Sequence, residues 1–190
     1  MPLNDRRAGP RREPRLERVV LLGYMCSGKS TVGEALARRL EWKYLDFDVE
    51  IERREELPIR EIIDSGGEAR FRELEAALTE EAADSMLLVL APGGGWIKRP
   101  ELLDRLGPET LSVWLRVSPD ETVRRLRDDS IDRPFRDHPD PADRIAEMLA
   151  EREPLYRRAD LAIPTDARST EAIAFEIEQT VRTRGMAMRQ

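Results

Sequence analysis

A single cysteine, Cys26, and a single histidine, His138, are all that this 190-residue chain has of the two side chains that most often ligate transition metals. One cysteine excludes a disulfide within the chain and fits a reducing cytoplasm. With no cysteine pair and the histidine in a polar loop, no zinc site is expected. No apolar run approaches the ~18 residues that a membrane-spanning helix needs, and the first residues lack the pattern of a signal peptide. Positive charge is also in deficit: the net charge is −6 with 37% of residues charged, acids and bases interleaved, which argues for a salt-bridged outer surface and against a nucleic-acid binder.

What is present is the length of one α/β domain with room for a sizeable core. Residues 1–17 are rich in Arg and Pro and poor in apolar groups, so a disordered tail is expected there; 18–184 reads as one domain and 185–190 as a flexible end. Strands are expected over Arg18 to Leu22, Lys43 to Leu45, Leu87 to Leu90, Thr110 to Arg116 and Leu161 to Ile163. Helices are expected over Lys29 to Leu40, Val49 to Arg54, Glu68 to Ser85, Pro119 to Arg127, Ala142 to Arg158 and Thr170 to Arg184. This alternation is the signature of βαβ units, and five such strands make a doubly wound parallel sheet with helices on both faces. Trp42 and Trp114 flank strands and read as packing. A polar segment, about 128–141, holds Pro134, Pro139, Pro141 and His138 without apolar periodicity and reads as a mobile lid.

Between the first strand and the first helix, Gly23 to Ser30 reads Gly-Tyr-Met-Cys-Ser-Gly-Lys-Ser. A glycine, four residues and then Gly-Lys-Ser at a strand-to-helix turn form a P-loop, whose inward amides and helix N-terminus cradle phosphate oxygens. Lys29 would reach the β and γ phosphates and Ser30 would ligate magnesium. Cys26 in this loop reads as a small filler side chain more readily than as a thiol nucleophile.

Four further constellations fall at the carboxyl ends of strands, where ligands of such sheets collect. Asp46 and Asp48 are two apart in an extended segment and would share a side, one serving magnesium and one a reacting hydroxyl, although Asp48 also suits the cap of the next helix. Arg72 and Glu75 are three apart on a helix, so the glutamate can fix the guanidinium for capture of a substrate carboxylate. Gly93, Gly94 and Gly95 offer close backbone approach to a ligand. Arg133, in the lid, could meet phosphate oxygens, and Arg157, before the last strand, could supply a second carboxylate anchor.

Together these motifs resemble the shikimate kinases, small P-loop kinases of the nucleoside monophosphate kinase type. The resemblance rests on Gly-Lys-Ser-Thr, Asp-x-Asp, Gly-Glu-x-x-Phe-Arg-x-x-Glu, Gly-Gly-Gly, the lid Arg-Pro and Pro-Leu-Tyr-Arg-Arg, in that order over Arg18 to Thr183. It implies a three-layer αβα fold with strand order 2-3-1-4-5 and transfer of a phosphoryl group from ATP to the 3-hydroxyl of shikimate. Carried over by position, it implies that Cys26, Ser27, Gly28, Lys29, Ser30 and Thr31 bind ATP, with Ser30 and Asp46 serving Mg2+. Asp48 would be the base, with Lys29 and the closing Arg133 stabilising the transferred group. Arg72, Arg157 and Gly94, with Gly93 and Gly95 beside it, would bind shikimate. A monomer without nucleic-acid or membrane partners is expected. The chain departs from the family pattern at Phe47, Pro92, Trp96 and the lid residues after Arg133-Pro134; Trp96 could narrow or reshape the acceptor pocket. Kinases for other hydroxylated or sugar acids, and a non-catalytic nucleotide switch, remain open alternatives on this reading.

Overall fold

The computed structural model describes residues 16–128 and 141–187. The expectations placed on 1–15, on the lid with Arg133 and His138, and on 188–190 lie outside the described residues.

β1 (Arg18–Leu22), α1 (Lys29–Leu40), β2 (Lys43–Asp46), α2 (Phe47–Glu55) and α3 (Ile59–Ala83) follow in order. Then come β3 (Leu88–Ala91), a 3-10 turn (Trp96–Lys98), α4 (Glu101–Arg105), β4 (Thr110–Arg116) and α5 (Pro119–Asp128). The chain closes with α6 (Pro141–Tyr156), β5 (Leu161–Pro164) and α7 (Thr170–Ala187). All strands pair in parallel in the order β2-β3-β1-β4-β5, as expected.

The layers follow from the period of two along β1, all of whose residues are buried. Val19 and Leu21 face a core shared with Val32 and Leu36 of α1 and Ile173 and Ile177 of α7. Val20 and Leu22 face the opposite core, made with Phe47 and Ile51 of α2, Phe71 and Leu78 of α3, Trp96 and Tyr156. Helices therefore cover both faces of the sheet. The outer surface carries the expected ion pairs, among them Arg54 with Glu81 and Arg124 with Glu121.

Several boundaries differ from expectation. Leu16, assigned to the tail, is 4% exposed and packs in the core, and the Glu17 amide donates to the Glu109 carbonyl at 2.8 Å, so the ordered domain reaches back to Leu16. α7 continues to Ala187, beyond Arg184. α3 begins at Ile59, nine residues before Glu68, and passes through Gly67, whose φ of 76° and ψ of 166° make a kink between two helical segments. Only the second segment was legible, because Gly66 and Gly67 hide the first. α2 starts at Phe47 instead of Val49, with Asp46 as its N-cap.

Candidate active site

The strand order sets the site. β3 lies between β2 and β1, so the turns leaving these three strands stand side by side at the carboxyl edge of the sheet. They carry the Asp46–Asp48 corner, the triple glycine and the phosphate loop. A cleft of about 770 Å3 runs along this edge, lined by the phosphate loop from Met25 to Val32, by Asp46, Asp48, Pro92, Gly93 and Gly94, and on the far side by Arg124, Arg125 and Thr165.

The phosphate loop closes on itself through Ser27 N donating to Tyr24 O at 3.2 Å. Gly28 is the N-cap of α1 and offers no side-chain acceptor, so the first helix amides are left to meet a ligand at the positive end of the helix. Lys29 Nζ donates to the carbonyls of Gly23 (3.0 Å) and Tyr24 (3.1 Å), folded over the loop it serves. Cys26 holds φ at 57°, and its carbonyl accepts from Arg125 Nη1 at 3.0 Å. Arg125 also donates to the Thr165 carbonyl (2.9 Å), so it ties the loop after β1 to the turn after β5. Glu121 receives both Arg124 and Arg125, which hold its carboxyl down at about 2. Nothing in the sequence motifs singles out Arg124, Arg125 or Glu121.

Asp46 and Asp48 share a side through a corner, not through strand alternation. Asp46 ends β2, and its Oδ1 accepts from the amides of Asp48 (3.1 Å) and Val49 (3.4 Å), capping the helix in which Asp48 occupies the first turn. The cap expected of Asp48 thus belongs to Asp46, and Phe47, 1% exposed, packs in the core. Asp46 Oδ2 accepts from Ser30 Oγ at 2.8 Å and from the Tyr44 hydroxyl at 3.0 Å. Burial, followed by the Asp46 charge, pushes the Tyr44 phenol far up, so it remains a donor. Among the described residues no cluster of three or more His, Cys, Asp or Glu is placed to hold a metal. A serine hydroxyl and one carboxylate beside a phosphate cradle do fit a magnesium ion, which keeps its waters and takes phosphate oxygens.

Each of the three glycines meets a different partner. A Cβ on Gly93 would lie 3.0 Å from both Asp48 Oδ1 and Glu75 Oε1; on Gly94, 3.6 Å from Gly23 O and Met25 N; on Gly95, 2.6 Å from Arg72 Nη2. A side chain at Gly93 would crowd the two carboxylates and one at Gly95 would displace the guanidinium, whereas Gly94 has room for an ordinary contact with the loop. Glu75 is fully buried and accepts from Arg72 Nη1 at 2.6 Å. Burial, with the Asp48 charge adding to it against the pull of Arg72, pushes the Glu75 carboxyl up to about 7.

Arg157 is not brought to this site. Its side chain is 71% exposed and paired with Glu153 at 3.0 Å, one turn back on α6. The arginine that α6 does deliver is Arg152, which is buried, donates to Gly94 O at 3.2 Å and lies over the Tyr24 ring at 5.2 Å. Tyr156, one turn on, donates to the same carbonyl at 3.3 Å. The signal was helical spacing: Ile145, Met148, Arg152 and Tyr156 recur at three, four and four residues, so Arg152 lies on the apolar stripe and Arg157 does not. Trp96 does not line the cleft: it is fully buried, with Nε1 donating to Thr79 Oγ1 at 3.0 Å.

A phosphate loop on the central strand of a parallel sheet, a carboxylate corner beside it and an arginine-lined recess across a triple glycine define a small-molecule kinase of the P-loop class. The family model for shikimate kinase matches residues 25–182. A shikimate kinase of Rhodopseudomonas palustris is 46% identical over 76% of this chain and 71% of its own length, and one of Moorella thermoacetica is 40% identical over 86% and 94%. Among solved structures, shikimate kinase from Acinetobacter baumannii in complex with shikimate superposes with a TM-score of 0.80 at 32% identity, over 90% of this chain and 96% of that one. The chain belongs to the shikimate kinase family.

Proposed function

We propose that the protein transfers the γ-phosphoryl group of ATP to the 3-hydroxyl of shikimate, giving shikimate 3-phosphate and ADP. One observation carries this: Asp48, Arg72 and Arg152 converge around Gly93–Gly95 beside the phosphate loop, a recess with a base for a hydroxyl and two guanidinium groups for a carboxylate. A nucleotide switch has no use for such an acceptor recess.

Loop amides and Lys29 hold the phosphates in line with the acceptor and neutralise charge on the transferred group. Asp48 orients the acceptor hydroxyl and takes its proton as the new O–P bond forms. Arg72, with Nη1 fixed by the buried Glu75, is the anchor for the substrate carboxylate, and Arg152 adds a second cation from α6. Ser30 and Asp46 would hold Mg2+, which would offset negative charge on the phosphates. Arg133 belongs to the same reading as a cation closing on ATP. No helix of the described residues is long and apolar enough to cross a membrane; a monomeric cytoplasmic enzyme belongs to the same proposed reading.

The test is ADP release from ATP and Mg2+ with shikimate, and with gluconate as a sugar-acid control. Release with shikimate and formation of shikimate 3-phosphate support the reading. Release with gluconate alone moves the chain to sugar-acid phosphorylation, and nucleotide binding without release to any acceptor makes it a switch.

A further inference from the structure

Arg72 has a second partner. Nη1 belongs to the buried Glu75, whereas Nε and Nη2 donate to Glu68 Oε1 at 3.2 and 2.7 Å. The two carboxylates differ in standing: Glu75 is 1% exposed and Glu68 is 66% exposed. Glu68 therefore occupies the free edge of the guanidinium, the edge that a substrate carboxylate needs. Its surroundings are those of a bound anion. After Arg72, the groups that hold its carboxyl below the usual range include Lys98 and Arg152, so three cations from α3, the 3-10 turn and α6 act on this one carboxylate.

Its place in the chain makes Glu68 releasable. It follows Gly67, where the backbone leaves helical geometry and the two segments of α3 meet, and a Cβ at Gly67 would meet nothing within 4 Å. The bend is thus not held by packing around Gly67. We propose that Glu68 is a built-in competitor, a carboxylate of the chain itself that sits in place of the acceptor's carboxylate on Arg72 and must swing away for the acceptor to bind. The proposal rests on the functional reading above, since it takes Arg72 as the acceptor's anchor. In consequence Glu68 sets acceptor affinity and leaves the phosphoryl-transfer step alone. It also gives selectivity, because a weakly held neutral acceptor cannot repay displacement of an ion pair.

Glu68→Gln and Glu68→Ala in the full chain test this, with shikimate binding measured by calorimetry, KM and kcat from ADP release, and the neutral methyl ester of shikimate as a second ligand. An exposed pair of this kind is worth a modest factor, so both variants should bind shikimate about two- to fivefold more tightly, with KM lowered to match and kcat unchanged. A merely structural Glu68 would not give this split. The gain should be smaller at high salt, where the competing pair in the wild-type protein is already screened. Unchanged or weaker shikimate binding in both variants, with an active wild-type protein, overturns the proposal and leaves the functional reading in place. A wild-type protein that releases no ADP with shikimate overturns the functional reading, and the proposal falls with it.

Discussion

Arg18 stands at the amino end of β1 and the phosphate loop at its carboxyl end, and the two ends settle buried polar groups differently. Arg18 is buried, yet its guanidinium donates to Thr110 Oγ1 (3.0 Å), Ser85 O (2.6 Å) and Leu106 O (3.0 Å), with Glu17 and Glu109 within ion-pair reach. That charge ties β1 to the turns before β3 and β4, with each of its three nitrogens donating a hydrogen bond. At the other end Ser27 Oγ, Glu75 Oε1 and Arg152 Nε are buried without a hydrogen-bond partner. Unsatisfied buried groups cost stability, so a fold keeps them where chemistry or binding needs them. Both ends bury charge; satisfaction, not burial, separates scaffold from site.

Substitutions on the two sides should therefore fail in different ways. Asp48→Asn removes the base while keeping the shape of α2, and kcat should fall by roughly 10²–10⁴-fold with nucleotide affinity and melting temperature preserved. Near-normal turnover in this variant would take Asp48 out of the chemistry. Arg18→Met should do the reverse: with Ser85 O left without its donor, Leu106 O left with Thr110 Oγ1 alone and the ion pairs to Glu17 and Glu109 gone, stability to urea should drop by about 3 kcal/mol, while KM and kcat of the folded fraction stay put. A shift in KM comparable to the loss of stability would erase the distinction between the two ends.

The scaffold was more legible in the sequence than the site, for a physical reason. β1, α1 and β4 were read with the bounds they have, because apolar runs and helical stripes are repeated signals that many residues share. The phosphate loop and Asp46–Asp48 were legible as spacings within a few residues. Relations between distant segments were not: nothing local says that Gly95 must be bare because Arg72 lies on it, or that Asp46 holds both Ser30 and the head of α2. Trp96 reads as a pocket residue beside the glycines, but Thr79, on another element, draws it into the core.

Glu75 offers a smaller effect with a definite sign. Its carboxyl stands at about 7 in the fold against 4.5 for an ordinary glutamate, so between these values the folded state binds more protons than the unfolded one. Stability must then fall as pH rises through that window and level off above it, because burial opposes the charged form. Urea melts of the wild type and Glu75→Gln between pH 4.5 and 8 should give a difference curve in which the wild type loses about 2–3 kcal/mol of its advantage, most of it below pH 7. Groups common to both proteins cancel in that difference. A flat curve would mean that Glu75 is ionised throughout and that Arg72, not burial, governs it.

Arg152 and Arg157 bring the comparison down to two side chains five residues apart on one segment. Arg152 is buried against Gly94 O and the Tyr24 ring, and Arg157 is in solvent with Glu153. Arg152→Ala should raise KM for shikimate about tenfold, the scale of one lost hydrogen bond to a charged group, and change KM for ATP far less. Arg157→Ala should leave both within about twofold, because an exposed pair one turn apart on a helix contributes little. If the two variants behaved alike, the acceptor's carboxylate would be held elsewhere, and the unsatisfied Nε of Arg152 would have to be a cost that the fold carries without a ligand in view.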